Sequence, residues 1–157
     1  MNETKTATTK PAQVKAAPVK RIIATLIDGI VAMIIGTIPF VGGIISSLYM
    51  LFRDALPIEA LEYKSIGKKL LNLSVVKTEG DIKQRIDYAT SAKRNWMFAL
   101  GPLMMFFMFI PIIGWFLDIV IGIGCFVLTI IELVKIFSDN RGRRLGDIMA
   151  DTMVVED

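Results

Sequence analysis

Residues 21–38 form an apolar stretch that begins with an arginine and contains a single acidic residue. As a helix with ~1.5 Å per residue, the stretch would be roughly 27 Å long, close to the hydrocarbon thickness of a bilayer. Its polar and small residues recur at intervals of three or four and therefore share one helix face: Arg21, Thr25, Asp28, Ala32 and Gly36. Because a carboxylate facing lipid is unfavourable, that face must contact protein or trapped water.

The composition indicates an integral membrane protein. Of 157 residues, 54% are hydrophobic, and the mean hydropathy is +0.57. The single cysteine, Cys125, excludes an internal disulfide, and the absence of histidine removes the commonest metal ligand. We therefore expect no cofactor and no metal. The net charge of +3 comes from basic residues that flank the apolar segments, which indicates membrane topology and not nucleic-acid binding.

The apolar segments predict an all-α membrane fold with four spans. We place these spans at 21–38, 44–56, 95–110 and 115–137, preceded by a flexible tail at 1–19, with a loop at 57–94 and a final segment at 138–157. The tail, loop and final segment hold most of the lysine and arginine residues, whereas the two short reversals carry no charge. This asymmetry predicts that both termini are cytoplasmic and that the lipid bilayer is the main partner.

The two halves of the chain share four features in the same order, which predicts two parallel-repeat hairpins. The matched features are Lys20-Arg21 with Lys93-Arg94, 38–43 with 110–115, Gly67-Lys68-Lys69-Leu70 with Gly142-Arg143-Arg144-Leu145, and Val75-Val76 with Val154-Val155. The alternative is that any hairpin with basic flanks and a Pro-Gly turn looks alike. Alternating residues also predict a two-stranded ribbon that pairs Leu73–Val76 with Met153–Val155, and Asp81 is predicted to cap a helix through Ile82.

A second polar seam runs along the fourth predicted span, through Asp118, Gly122, Cys125, Thr129 and Glu132. Seams of small and polar residues favour close helix packing, so we expect the first and fourth spans to pack seam to seam. This would place Asp28, Asp118 and Glu132 around a polar interior, as candidates for binding a proton or cation. The alternative for Asp28 is an ion pair or hydrogen bond that only fixes helix packing.

Other charged residues have simpler interpretations. Glu132 and Lys135 are predicted to form a local ion pair. Three basic residues near the C-terminus either bind anionic lipid headgroups or mark topology: Arg141, Arg143 and Arg144. The sequence has no nucleophile–base pair, phosphate loop or metal cluster, so we do not expect an enzyme. The small pairs Gly42/Ser46 and Gly43/Ser47 are predicted contacts between copies in a homo-oligomer.

Four motifs in order resemble the RDD family of small bacterial membrane proteins, named for one arginine and two aspartates. The motifs are 21–28, 65–76, Arg94-Asn95 and 143–155, and the resemblance covers about residues 20 to 156. Carried over by position, the arginine is Arg21, the first aspartate is Asp28 and the second is Asp147. The chain departs from the usual pattern at Asn72, where glycine is common, and at Gly146, where histidine is common.

The resemblance implies a multi-pass protein of the bacterial inner membrane and little about activity, although transport is the usual proposal for the family. The first hypothesis is therefore transport of a proton or monovalent cation through the seam that contains Asp28. The second is a non-catalytic scaffold or partner-binding module in which Asp28 fixes helix packing. The first hypothesis predicts that Asp28→Asn abolishes transport. The second predicts that the same substitution lowers the melting temperature in detergent.

Overall fold

The computed structural model describes residues 14–78 and 85–157. Within those ranges the fold is mostly helical and has one pair of antiparallel strands. A short 3-10 turn, Glu59–Leu61, precedes the third helix. In chain order the elements are α1 (Pro18–Gly36), α2 (Gly42–Phe52), α3 (Ile66–Leu70), β1 (Leu73–Lys77), α4 (Tyr88–Phe107), α5 (Ile113–Ser138), α6 (Leu145–Met149) and β2 (Thr152–Glu156).

The first hairpin consists of α1 and α2. Proline suits the first position of α1 because the amide it lacks would have no partner there. After Gly36 the chain reverses through Pro39 and through Phe40, whose φ is +64°. α2 then ends at Phe52, short of the predicted boundary of 56, and is only about 16 Å long.

The second hairpin consists of α4 and α5. Asp87 caps α4, because its Oδ1 accepts a hydrogen bond from the Thr90 amide at 2.6 Å. The predicted cap at Asp81 lies outside the described residues. α4 begins at Tyr88, before the predicted span at 95–110, so its first two turns are polar. The reversal into α5 includes Ile112 with φ +66°, which matches the reversal of the first hairpin.

The two halves of the structure have the same order of elements: two long helices, a short helix and a strand. In each half a glycine of the short helix lies against the backbone of the first long helix, Gly67 against Ala24 and Gly146 against Arg94. A Cβ atom on either glycine would overlap a carbonyl oxygen. The shared features of the two halves therefore extend from sequence motifs to local packing.

The predicted two-stranded ribbon is confirmed. β1 and β2 pair antiparallel, with Val75 opposite Val154 and Val76 opposite Met153. A residue with positive φ precedes each strand, Asn72 at +51° and Asp151 at +49°. Asparagine and aspartate tolerate this left-handed conformation better than most residues, which explains why both positions are occupied without glycine.

The residues just before α1 also contact the ribbon. Lys15 forms a bridge with Val155, and the Ala16 amide donates to the Val154 carbonyl at 3.1 Å. Residues 14–17 therefore lie along β2, and Pro18 already belongs to α1. The rest of the predicted tail, residues 1–13, lies outside the described residues.

Among the described residues, α2 and α4 form the most extensive helix–helix contact. Gly43 lies against the backbone of Phe106, and the Ser47 hydroxyl donates to the Ala99 carbonyl at 2.6 Å. Ser46 is fully buried, and Gly42 lies against the end of α1. The small pairs predicted as contacts between copies are thus used inside the chain, because small side chains let α2 approach both neighbours.

In the described residues, one helix, α5, is long and apolar enough to cross a membrane. Only 11% of its most apolar window is buried, so its apolar side chains face outward. The expectation of four spans is not confirmed. α1 carries Lys20, Arg21 and Asp28, α2 has only 11 residues, and α4 starts with two polar turns.

Candidate functional site

Nine buried charged side chains lie at one end of the helices, which we call the charged end. They come from the start of α1 and α4, the end of α2 and α5, and the short helices α3 and α6. These residues, which we call the ionic cluster, are Arg21, Asp28, Arg53, Asp54, Lys68, Arg94, Glu132, Arg144 and Asp147, each at most 6% exposed. Buried charges require partners, so the cluster must be almost fully paired to be stable.

Asp28 has protein partners on both carboxylate oxygens. Oδ2 lies 3.2 Å from Nη1 of Arg53, and Oδ1 accepts hydrogen bonds from the Tyr49 hydroxyl at 3.1 Å and the Gly67 amide at 2.8 Å. The amide reaches Asp28 because Gly67 lacks a Cβ and lets α3 approach the backbone of α1. Asp28 therefore joins α1, α2 and α3.

Asp147 is the most heavily paired acid of the cluster. Its Oδ1 lies 2.9 Å from Nη2 of Arg94 and 3.2 Å from Nε of Arg144, and its Oδ2 binds Nη2 of Arg21. Burial alone would raise the pKa of Asp147, but the guanidiniums of Arg94, Arg144 and Arg21 hold it well below its usual range. Asp147 therefore pairs both with an arginine three residues before it, Arg144, and with two arginines far away in the sequence.

Arg21 is buried and does not reach towards lipid. Besides binding Asp147, its Nη1 donates to the Gly142 carbonyl. The arginine and the second aspartate that the family resemblance identified thus form an ion pair with each other. The pair connects the start of α1 to the segment that leads into α6.

Asp54 forms a second paired centre beside the first. The Lys68 ammonium binds its Oδ1, while Nε of Arg94 lies 3.1 Å from Oδ2 and Nδ2 of Asn95 donates to Oδ2 at 2.9 Å. Burial would raise the pKa of Asp54, but Lys68 and Arg94 lower it well below its usual range. Burial lowers the pKa of Lys68 to about 7, although Asp54 opposes that shift.

Asn95 connects the two halves of the fold. Its Oδ1 accepts hydrogen bonds from Nη2 of Arg144 at 2.8 Å and from Nε and Nη2 of Arg53 at 3.3 and 3.2 Å. The two guanidinium groups also lie near the ring of Phe98, at 4.8 and 5.2 Å from its centroid. The amide oxygen of Asn95 and the ring of Phe98 therefore hold two positively charged guanidinium groups close together, one from each half of the fold.

Glu132 is the least satisfied member of the cluster. Its Oε1 accepts from the Gly146 amide at 3.1 Å, much as Asp28 accepts from Gly67 in the other half. Oε2 lies 3.8 Å from Nε of Arg144 and has no hydrogen-bond partner. The predicted ion pair with Lys135 is wrong, because Glu132 points inward to Arg144.

The predicted polar interior forms only in part. Asp28 and Glu132 both belong to the ionic cluster, but Asp118 lies ~21 Å from Glu132 along α5. Asp118 is half-buried, and its Oδ1 has no hydrogen-bond partner. The seams of α1 and α5 do not pack together either, since a cleft of about 300 Å³ lies between these helices and is lined by Thr25, Thr129 and Glu132.

The three arginines predicted to bind lipid headgroups have different surroundings. Arg144 is 4% exposed and belongs to the ionic cluster, so its assignment to a surface site is wrong. Arg143 is partly exposed, and its Nη2 lies 3.3 Å from Oδ1 of Asp139. Arg141 is exposed. In the sequence, one feature distinguishes Arg144 from Arg141 and Arg143: it comes directly before Leu145, the first residue of α6.

Sequence analysis did not single out several members of the site: Arg53, Asp54, Lys68 and Asn95. Their place in the sequence was one available signal. Arg53-Asp54 lies at the end of one apolar segment, and Arg94-Asn95 comes just before another. Charged residues at the ends of membrane helices are usually attributed to topology. Among the described residues no group of three or more acidic or cysteine side chains is arranged to hold a metal ion.

The comparisons with known proteins give one match. The model of the RDD family matches residues 40–151. This range includes Asp147 but not Arg21 or Asp28, so the assignment of those two residues to the family's motif stays a prediction. No curated protein and no solved structure matches the chain.

Proposed function

Because the chain belongs to the RDD family of membrane proteins, we propose that it is a non-catalytic membrane module whose ionic cluster fixes the helices for a protein partner or a second copy. One observation supports this proposal above the others. Both oxygens of Asp28 are occupied by protein groups, with an arginine as counter-ion. A carboxylate that already has a guanidinium counter-ion and two hydrogen bonds has its charge compensated by the protein itself, so it does not need a bound cation.

The test compares Asp28→Asn with Asp118→Asn, which changes a half-buried acid that has no ion-pair partner in the described structure. Asp28→Asn leaves Arg53 buried without its counter-ion, so its melting temperature in detergent should fall well below that of the control. Breaking a buried pair typically costs about 3–5 kcal/mol. Equal melting temperatures for the two variants would contradict a structural role for Asp28.

Transport of a proton or monovalent cation is the second candidate, and a different observation favours it. A cavity of about 130 Å³, lined by Gly101 and Cys125, shares Thr129 and Glu132 with the cleft between α1 and α5. Lys68 in turn lines both that cleft and a third cavity of about 380 Å³ beside the ribbon. Neighbouring cavities thus share titratable side chains in their linings, and one of these, Glu132, has an oxygen without a hydrogen-bond partner.

A proteoliposome assay separates the two candidates. The lumenal pH is followed while sodium, lithium or potassium is added outside, with the parent protein and with Glu132→Gln and Asp28→Asn. Proton movement that depends on a cation and is lost in Glu132→Gln would support transport through the cavities. No movement with any cation, from protein shown to be folded, would favour the scaffold.

We further propose that the protein lies in the bacterial inner membrane, with the charged end and both termini on the cytoplasmic side. The two reversals, 37–41 and 108–112, contain no lysine or arginine, and this absence supports the orientation. Reporter fusions at the C-terminus and in the reversal at 108–112 would test it. Reporter activity characteristic of the cytoplasm at the C-terminus and of the outer side at the reversal is the expected result.

A further inference from the structure

The cleft between α1 and α5 has apolar walls and opens to the surface of the helices. Ile22 and Leu26 of α1 face Leu133 and Ile136 of α5 across it. Leu26 and Leu133 are 62% and 39% exposed, so they lie at its mouth. The outward surface of α5 is apolar, and the mouth therefore faces the region that lipid occupies around a membrane protein.

The inner end of the cleft is lined by charged residues of mostly one sign. Four cations of the ionic cluster line it, Arg21, Lys68, Arg94 and Arg144, against a single acid, Glu132. With Lys68 protonated, the whole cluster, within residues 14–78 and 85–157, contains five cations and four anions. A buried excess of positive charge is unfavourable unless an anion compensates it.

The same end of the cleft also presents an unused hydrogen-bond acceptor. Oε2 of Glu132 is buried and has no hydrogen-bond partner, although the residue is only 4% exposed. Buried polar atoms are nearly always paired. A ligand that carries a hydroxyl group beside its negative charge would satisfy both the carboxylate oxygen and the excess of positive charge.

We infer that the cleft binds one acyl chain of an anionic membrane lipid whose headgroup contains hydroxyl groups. The acyl chain lies between the apolar walls, the phosphate lies at the charged inner end near Arg21, and a headgroup hydroxyl donates to Glu132. A cleft of about 300 Å³ is at the lower end of the range for ligand sites, so it accommodates only part of the lipid. This inference goes beyond the proposed scaffold, which requires no specific lipid.

Native mass spectrometry of the full chain in detergent tests the inference. Phosphatidylglycerol and phosphatidylcholine with identical acyl chains are added separately, and the fraction of protein with one bound lipid is measured. We expect phosphatidylglycerol to bind about tenfold more tightly, the ratio that one good charge-assisted interaction gives. Equal binding of the two lipids would overturn the inference. A lipid-free dimer that Leu133→Trp converts to a monomer would also overturn it, because a second copy would then cover the cleft.

Two tryptophan variants locate the site. Leu133→Trp fills the cleft, while Val134→Trp adds the same side chain next to it at a position that does not line the cleft. Phosphatidylglycerol binding should fall about tenfold in the first variant and stay at the parent level in the second. If Leu133→Trp does not fold, Thr129→Phe fills the cleft from the same helix. Equal loss in filling and control variants would show that the lipid binds elsewhere and would overturn the inference.

Discussion

Asp147→Asn is the substitution that most directly tests the ionic cluster as the basis of this fold. Asp147 is fully buried, and Arg21, Arg94 and Arg144 all bind its two oxygens. Asparagine keeps the volume and one acceptor but leaves three guanidiniums without a shared counter-ion. Removing one partner of a buried ion pair costs about 3–5 kcal/mol. Because asparagine still accepts a hydrogen bond, we expect the free energy of unfolding to fall by the lower end of this range, about 3 kcal/mol.

The assay is thermal unfolding in detergent at pH 7, with Asp139→Asn as the matched control. Asp139 also pairs with an arginine, Arg143, but its side chain is 17% exposed. Exposed ion pairs contribute about 0–1 kcal/mol. For a chain of this length about 1 kcal/mol corresponds to about 2–4 °C. Asp147→Asn should therefore melt roughly 6–12 °C below the parent, and the control within about 4 °C.

A double variant makes the result sharper. Arg21→Met alone leaves Asp147 with Arg94 and Arg144, so it should cost less than Asp147→Asn. The pair Arg21→Met with Asp147→Asn should cost less than the sum of the single variants, since Asp147→Asn leaves the Arg21 charge without its counter-ion and Arg21→Met removes that charge. Strict additivity, or equal melting of Asp147→Asn and Asp139→Asn, would refute the view that mutual pairing stabilises the cluster.

Three further predictions concern backbone and charge. Gly67→Ala should destabilise the protein, because the added Cβ would overlap the Ala24 carbonyl oxygen. The control, Gly29→Ala, has open space around it and should be neutral or stabilising by up to about 1 kcal/mol. Thermal unfolding compares the two variants. Asn72→Gly should be tolerated and Asn72→Val should lower the melting temperature, since φ at this position is +51°; matching melting temperatures for these two variants would contradict the prediction. The pKa of Lys68 is lowered to about 7 in the fold, so the unfolded chain binds more protons between pH 7 and about 10.5, and stability should rise with pH over that window. Melting temperatures at pH 7 and 9 should show a smaller rise for Lys68→Met than for the parent, and an unchanged rise would exclude Lys68 as its source.

The sequence predicted the local organisation of this protein well. Periodicity and the two Pro-containing reversals gave the hairpins, and alternating residues gave the ribbon between 73–76 and 153–155. The family was also predicted, because its motifs are short and contiguous. Element ends were less accurate: α2 ends before Asp54, and α4 begins at Tyr88. At the start of α4, polar residues extend the helix beyond the apolar segment. At the end of α2, charged residues end the helix inside the predicted segment.

The site could be predicted only in part, because its geometry depends on which charges face each other. Asp28 and Asp147 were named, but the sequence did not show that Arg53 pairs with the first or Arg94 with the second. These partners are 25 and 53 positions apart in the chain. For the same reason Arg144 was assigned to a lipid surface although it lies inside the cluster.

The sequence by itself thus determined the apolar helices, the reversals and the two strand segments, which depend on neighbours along the chain, and it also identified the family. Only the tertiary structure determined the pairing within the ionic cluster, the separation of α1 from α5 and the unpaired oxygen of Glu132. Hydropathy and backbone preference act over a few residues, whereas a buried charge is stabilised by whichever partner the packing brings within about 4 Å.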